Sequence, residues 1–113
     1  MRISLIHKLL LQLFLLSFAL TVNAKPLQCE SDALVQSKKL LNFHVGGDDR
    51  IQIDPIVNRL PMIVNPANKK QKFLVLETMG YIYKGNYRMR LIYFPLDNEC
   101  VLMGQEVLEL ASL

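Results

Sequence analysis

Side chains that could perform catalysis are few in this sequence, and the first to weigh is a single histidine. Beyond residue 24 the chain contains only His44, which lies next to Phe43. A histidine that acts as a general base needs a nucleophile and an orienting group within reach, and the neighbouring sequence supplies neither. No Gly-x-Ser-x-Gly, glycine-rich phosphate loop or His-Glu-x-x-His motif occurs. We therefore expect His44 to cap a helix end, where its charge favours the helix dipole.

The acidic residues form two groups whose chemistry can be tested against the sequence. A turn after Gly46-Gly47 holds three aspartates: Asp48, Asp49 and Asp54. They lack the regular ligand spacing and the bidentate glutamate of a calcium loop, so we expect a solvated turn and no metal. Three glutamates could meet across a sheet as a carboxylate pair: Glu77, Glu106 and Glu109. A domain this small offers little concave volume to desolvate a substrate, so the sequence predicts no enzymatic activity and no cofactor.

Candidate binding residues are aromatic and cationic, and they lie in an apolar-rich segment between Lys72 and Phe94. We expect five of them on one sheet face: Tyr81, Tyr83, Arg88, Arg90 and Phe94. Tyrosine and arginine supply the large, rigid contacts of binding hot spots, and Met79 and Ile92 give an apolar surround. Arginine could also grip a carboxylate or a phosphate. The structural alternative is that opposed tyrosine and arginine side chains stack by cation–π attraction and keep an exposed face soluble.

The first 24 residues have the three-part pattern of an export signal. Arg2 and Lys8 precede an apolar stretch from Leu9 to Leu20, and Val22-Asn23-Ala24 puts small residues where a cleavage site requires them. An uncleaved anchor is the alternative, but polar residues interrupt the apolar stretch, which is shorter than the about 18 to 20 residues that span a bilayer. The sequence therefore predicts a cleaved signal peptide over residues 1–24 and a soluble, exported mature chain.

The charge balance changes once this leader is set aside. The whole chain has 13 basic and 10 acidic residues; the leader holds two of the basic and none of the acidic, which leaves 11 against 10 and a net charge of +1. This balance gives no reason to expect nucleic acid or an anionic membrane as partner. Residues 25–113 are enough for one small domain and too few for two.

The two cysteines, Cys29 and Cys100, lie near opposite ends of the segment that follows the leader. In an oxidising compartment two cysteines allow one intramolecular bridge. Closing a loop of about 72 residues contributes on the order of 4 kcal/mol to stability in the chain-entropy account. A free thiol pair and an intermolecular bond are the alternatives, while the Cys-x-x-Cys spacing of a redox pair is absent. We predict a structural disulfide.

Hydrophobic periodicity predicts one helix, capped by Ser31 or Asp32, running to about Phe43 and ended by Gly46-Gly47. Six residues recur at three- and four-residue intervals and should form its buried face: Ala33, Leu34, Ser37, Leu40, Leu41 and His44. This helix is the only one that we predict in residues 25–113.

Alternating residues after the glycines predict an antiparallel sheet of about four strands. Ile51 and Ile53 open a short strand, and prolines limit the segment from Ile56 to Lys72 to an edge piece near Met62 to Val64. A last strand, from about Cys100 to Leu110, should pair with the strand before it.

The central hairpin is predicted to turn at Gly85-Asn86, because this pair suits a two-residue loop that needs positive φ. That turn places Lys84 opposite Tyr87 and fixes the pairs that follow: Tyr83 with Arg88, Ile82 with Met89, Tyr81 with Arg90, Gly80 with Leu91 and Thr78 with Tyr93. One face should then pack on the helix: Leu74, Leu76, Ile82, Tyr87, Met89, Leu91 and Tyr93. Gly80 suggests a bulge or bend.

Together these elements predict an α+β fold, with one N-terminal helix packed on a curved antiparallel sheet of about four strands and closed by one disulfide. The order of helix and strands resembles the cystatin-like arrangement. That resemblance concerns element order and implies a strongly curved sheet around the helix.

Three functions fit these features. The first is a small exported interaction module, such as an inhibitor or immunity-like protein, that binds another envelope or secreted protein through the Tyr/Arg face. The second is a carrier of a small anionic or amphipathic ligand, held between helix and sheet beside Tyr87, Met89 and Tyr93. The third is an assembly subunit that associates through a strand edge, against which three lysines argue mildly: Lys69, Lys70 and Lys72. The short leader and the absence of Asn-x-Ser/Thr sites favour a bacterial periplasm over secretion.

Overall fold

The computed structural model describes residues 25–110; the predicted signal peptide, residues 1–24, lies outside the described residues, as do residues 111–113. One helix precedes five strands: α1 (Glu30–His44), β1 (Gln52–Ile53), β2 (Asn58–Asn65), β3 (Asn68–Ile82), β4 (Gly85–Leu96) and β5 (Glu99–Leu110). The predicted α+β class is confirmed, and the sheet has five strands where about four were predicted. The additional length lies in β2, which continues through Pro61 at a sheet edge.

Helix α1 begins earlier than expected. Its N-cap is Cys29, in a left-handed conformation with φ of 64° and no side-chain hydrogen bond, so the predicted cap at Ser31 or Asp32 is wrong. A turn precedes the helix, and it is closed by a hydrogen bond of 3.1 Å from the Glu30 amide to the Leu27 carbonyl. The predicted end is confirmed: Gly46 and Gly47 have φ of 77° and 91°.

All strand pairs are antiparallel. β1 and β2 lie one after the other along the same edge of β3, and β4 and β5 follow on the other side of β3. β5 pairs with β4 as predicted, across a turn in which Asn98 has φ of 63°. Three irregularities interrupt the pairing: two in β2, between Leu60 and Ile63 and between Val64 and Asn65, and one in β5, where Met103 has no partner on β4.

The β3–β4 hairpin turns at Tyr83-Lys84, so the predicted loop at Gly85-Asn86 is wrong. Met89 pairs with Thr78 instead of Ile82, a shift of four residues. Tyr83 adopts the positive φ of 53°, and Gly85 is needed for space, since a Cβ there would lie 2.9 Å from a ring carbon of Tyr87. A shift of four residues is even, so the side chains of the paired residues stay on their predicted faces, whereas Tyr83 leaves its face because it now lies in the turn.

The covered face of the sheet packs against α1. All seven predicted residues are buried there: Leu74, Leu76, Ile82, Tyr87, Met89, Leu91 and Tyr93. From the helix, Ala33, Ser37 and Leu41 are buried, whereas His44 is exposed in the last turn, where its ring meets Tyr87 edge-on at 6.0 Å. The prediction that His44 belongs to the buried face is therefore wrong.

Gly80 lets the helix approach the sheet closely. A Cβ at this position would lie 2.6 Å from Leu41 Cδ2 and 3.0 Å from Met89 Cε. The pairing of β3 with β4 is continuous past Gly80, so the bulge predicted there is absent and the glycine serves packing instead. Beside it, the Ser37 and Thr78 hydroxyls share a buried hydrogen bond of 2.6 Å, which satisfies both polar groups in the interface.

The predicted disulfide is confirmed. Cys29 and Cys100 are bridged with their Cα atoms 5.8 Å apart, and 71 positions separate them in sequence. The bridge joins the start of α1 to the start of β5, next to the buried ring of Tyr93. It therefore closes the covered face at the end where the helix begins.

Candidate binding face

We call the sheet face opposite α1 the open face. On β3 and β4 it is formed by the alternate residues that point away from the helix: Val75, Glu77, Met79, Tyr81, Arg88, Arg90, Ile92 and Phe94. Most are half-buried, whereas Val75 is only 4% exposed because neighbouring strands crowd it. Four of the five predicted binding residues therefore share this face, and Tyr83 does not.

Charged side chains on the open face form a row across three strands. The Arg90 Nε lies 3.3 Å from Glu77 Oε2, and its Nη1 lies 3.5 Å from Glu106 Oε1. Arg88 Nε approaches the same Glu77 oxygen at 3.8 Å. The register explains this row, since Glu77, Arg90 and Glu106 stand opposite one another on successive strands. Two arginines and two glutamates leave the row with no net charge.

The predicted pairing of tyrosines with arginines is wrong, because the register shift gives each tyrosine another neighbour. Tyr81 stands opposite Asn86. Tyr83 lies in the hairpin turn, 80% exposed, with the Arg50 guanidinium and the Lys84 ammonium 5.8 Å and 5.7 Å from its ring centroid. The cation–π contacts of the hairpin are thus made by cations that the sequence interpretation did not consider.

Phe94 belongs to an apolar half of the open face. Its ring meets the Phe73 ring edge-on, with centroids 6.2 Å apart and an interplanar angle of 70°. Ile63 pairs with Phe73 from the neighbouring β2, and Val101 pairs with Phe94 from β5. The open face thus divides into an apolar half at Phe94 and a charged half at Arg90.

A groove of about 610 Å³ crosses the open face from β2 to β5, and Arg90 is the one predicted binding residue that lines it. Val75, Ile92 and Arg90 line it from the central strands, while the edge strands supply the remaining residues: Leu60, Pro61, Ile63, Gly104, Gln105 and Glu106. Gly104 helps to keep it open, because a Cβ there would lie 3.4 Å from Ile92 Cδ1. Sequence reasoning missed Leu60 and Pro61, since a proline argues against a long strand. Ile63 lies in the predicted edge piece but was not expected to line a site.

A second cavity, of about 630 Å³, lies between the outer surface of α1 and the loop before β1. Asp48 lines it and receives hydrogen bonds from the Arg50 side chain and backbone amide. The Arg50 side-chain hydrogen bond is the main reason that the pKa of Asp48 falls to about 2, and Asp48 in turn raises the pKa of Arg50. Among residues 25–110 no cluster of three acidic, histidine or cysteine side chains could hold a metal ion.

The space between helix and sheet is filled by side chains. Tyr93 and Met89 are fully buried and Tyr87 is nearly so, and none of the three lines either cavity described above. The Tyr93 hydroxyl is buried with no hydrogen-bond partner of good geometry. Burial, with a smaller contribution from the Asp32 carboxylate, raises the pKa of Tyr93.

In the described part of the chain, α1 is too short and too polar to cross a membrane. No protein family, curated protein or solved structure matches this sequence or fold.

Proposed function

We propose that this chain is a small exported, non-enzymatic interaction module that binds another envelope or secreted protein through the groove of the open face. The observation that carries the proposal is the groove itself, with an apolar floor of Val75 and Ile92 and a polar end at Arg90. An apolar centre with a polar rim is the common anatomy of protein interfaces. The disulfide supports export, because such bridges persist in oxidising compartments.

The charges on the open face favour a polypeptide segment over an anionic polymer. Both arginines of the predicted site lie beside carboxylates that offset their charge, so neither presents an uncompensated cation to a phosphate or a sugar acid. A partner segment that places an apolar side chain over Ile92 and a polar group beside Arg90 fits this arrangement. An inhibitor or an immunity-type protein acts by occluding another protein through such a surface.

In residues 25–110, no cavity at the expected place supports the carrier hypothesis. Its ligand would lie beside Tyr87, Met89 and Tyr93, where the side chains of the core already fill the space.

Site-specific photo-crosslinking in the native envelope tests the interaction proposal. A benzophenone amino acid replaces Ile63, which lines the groove, or Phe43, which is 87% exposed on the far side of the molecule and serves as the matched control. We expect an adduct with one protein from position 63 and none from position 43. Gly104→Val, which fills space over Ile92, should remove that adduct.

The protein identified in this adduct is then purified and its affinity for the wild-type chain and for Gly104→Val is measured by calorimetry. We expect filling of the groove to weaken binding by about tenfold or more. This is roughly the effect of losing one well-packed side chain at an interface. Adducts only from position 43, no adduct at all, or equal affinities with unchanged folding by circular dichroism would each overturn the proposal.

A further inference from the structure

The β2–β3 and β4–β5 hairpins, on opposite sides of the sheet, carry an excess of opposite charge. Between Asn58 and Leu76 the chain has four basic residues and no acidic one: Arg59, Lys69, Lys70 and Lys72. Between Leu91 and Leu110 it has four acidic residues and no basic one: Asp97, Glu99, Glu106 and Glu109. All eight are exposed. Arg59 lies on β2 and the three lysines lie on β3 near the β2–β3 turn, and we call this basic part of the β2–β3 hairpin the basic edge. The acidic residues lie on β5 and in the turn before it, and we call this segment the acidic edge.

Both edges also expose apolar side chains. Six of them are between 37% and 55% exposed: Met62, Ile63 and Val64 on β2, and Val101, Met103 and Leu108 on β5. In the described residues β2 pairs only with β3 and β5 pairs only with β4, so each has one unpaired backbone edge. Unpaired edges with apolar side chains readily accept another strand.

Strand directions make the two edges compatible with each other. Each successive pair from β2 to β5 is antiparallel, so β2 runs antiparallel to β5. A second copy placed edge-on in the same orientation would therefore continue the antiparallel order, with β2 of one copy beside β5 of the next. Its helix would remain on the covered face.

We propose that these edges bind a second copy of this chain. The copies associate head to tail, with the basic edge of one copy against the acidic edge of the next. Charge complementarity selects this pairing over a symmetric one, because two β5 edges would bring together only acidic residues. Head-to-tail contacts of this kind can extend beyond a dimer. Pro61 and the β2 irregularity interrupt the edge, so the association is weak and depends on concentration.

The inference does not depend on the proposed function, and its test leaves the groove lining unchanged. The full chain is produced under oxidising conditions, and the purified protein is examined by sedimentation velocity from about 1 µM to about 1 mM. We expect the mean mass to rise with concentration past that of a dimer. About 0.5 M salt should weaken association by about tenfold, because exposed charges are screened.

Charge reversal identifies the surfaces. Lys69→Glu/Lys70→Glu reverses the basic edge, and Glu99→Lys/Glu109→Lys reverses the acidic edge without touching the Arg90–Glu106 pair. Each variant alone should associate at least about tenfold more weakly, and an equimolar mixture of the two should form mixed pairs. Lys38→Glu/Lys39→Glu, the same charge change on the exposed surface of α1, is the control and should associate like the wild type.

Several results would overturn the inference. A wild-type chain that stays monomeric throughout the concentration range would exclude self-association. A closed dimer that the lysine variant retains and the glutamate variant loses would indicate symmetric β5 pairing instead. Failure of the two reversed variants to recognise each other, with both folded by circular dichroism, would remove the charge complementarity on which the inference depends.

Discussion

The covered face and the open face are the two sides of one sheet, yet side chains are packed on them in different ways. On the covered face, a helix approaches so closely that Gly80 has no room for a Cβ, and the Ser37 and Thr78 hydroxyls satisfy each other. On the open face, Gly104 borders a groove of about 610 Å³, and the charged row is half exposed. The same alternation of residues therefore gives one filled interface and one that is unfilled.

This difference separates the residues that hold the fold from those available for binding. Packing on the covered face is tight, so a change in volume there acts directly on stability. The open face has space over Ile92 and charges that cancel within the row, so changes there alter the surface with little effect on the core. Function is most readily sought on the face where substitutions leave the fold intact.

The largest effect should follow loss of the disulfide that closes the covered face. We expect Cys29→Ala/Cys100→Ala to lower the free energy of unfolding by on the order of 4 kcal/mol, because a loop of 71 positions is no longer closed in the unfolded chain. Urea unfolding of the oxidised protein and the variant measures this loss. Reduction of the wild-type disulfide is the control without substitution and should lower the free energy of unfolding by a similar amount. A loss below about 1 kcal/mol for both the variant and the reduced protein would contradict the prediction.

Two glycines give a direct test of the comparison between the faces. Gly80→Val places methyl groups against Leu41, Met89 and Ile53, and we expect it to cost about 1–3 kcal/mol or more through overpacking. Gly104→Val meets only Ile92, at the limit of ordinary contact, and should change stability by about 0.5 kcal/mol or less. Both are strand positions, so the same chemical change is compared on two faces by urea unfolding.

A second substitution distinguishes crowding from other causes. Leu41→Ala removes the side chain that lies closest to the Cβ position of residue 80. If Gly80→Val destabilises by crowding, the double variant should lose less stability than the sum of the two single losses. Additive losses, or equal losses for the two glycine variants, would show that the faces do not differ as described.

The two faces could be predicted from sequence because they depend on the alternation of apolar and polar residues. The register could not be predicted, since it depends on where the hairpin turns. Gly85-Asn86 has the composition of a hairpin loop, but Tyr83 adopts the positive φ and Gly85 gives room to the Tyr87 ring. The shift of four residues preserved each face and changed every cross-strand partner. Arg90 therefore meets Glu77 where Tyr81 was expected.

The groove could not be predicted because its walls come from strands far apart in sequence. Pro61 indicated a short edge piece, yet a strand at the sheet edge tolerates a residue without an amide hydrogen. Gly104 carried no signal until the register set it beside Ile92. The helix, the disulfide and the covered face followed from local periodicity and cysteine count, whereas the candidate site follows from tertiary pairing.

The smallest expected effect concerns the Tyr93 hydroxyl, which in residues 25–110 is the one buried side-chain polar atom without a hydrogen-bond partner. Burial, and to a lesser degree Asp32, raises the pKa of Tyr93 above its usual 10.0. The folded chain thus keeps the proton at a pH where the unfolded chain loses it, so this contribution to stability is present below about pH 10 and is lost as the pH rises further. Tyr93→Phe should leave stability at pH 7 unchanged or raise it by about 1 kcal/mol, because it removes an unsatisfied hydroxyl.

Urea unfolding between about pH 8 and about pH 12 measures this dependence. The wild type should lose stability relative to Tyr93→Phe above about pH 10, whereas Tyr83→Phe, which alters an exposed hydroxyl in the hairpin turn, should follow the wild type. If Tyr93→Phe instead destabilises the protein by about 1 kcal/mol or more at pH 7, the hydroxyl makes a favourable contact in solution. The covered face would then hold a polar network that reaches Asp32, and the division between a filled apolar face and a polar open face would be less sharp than the packing indicates.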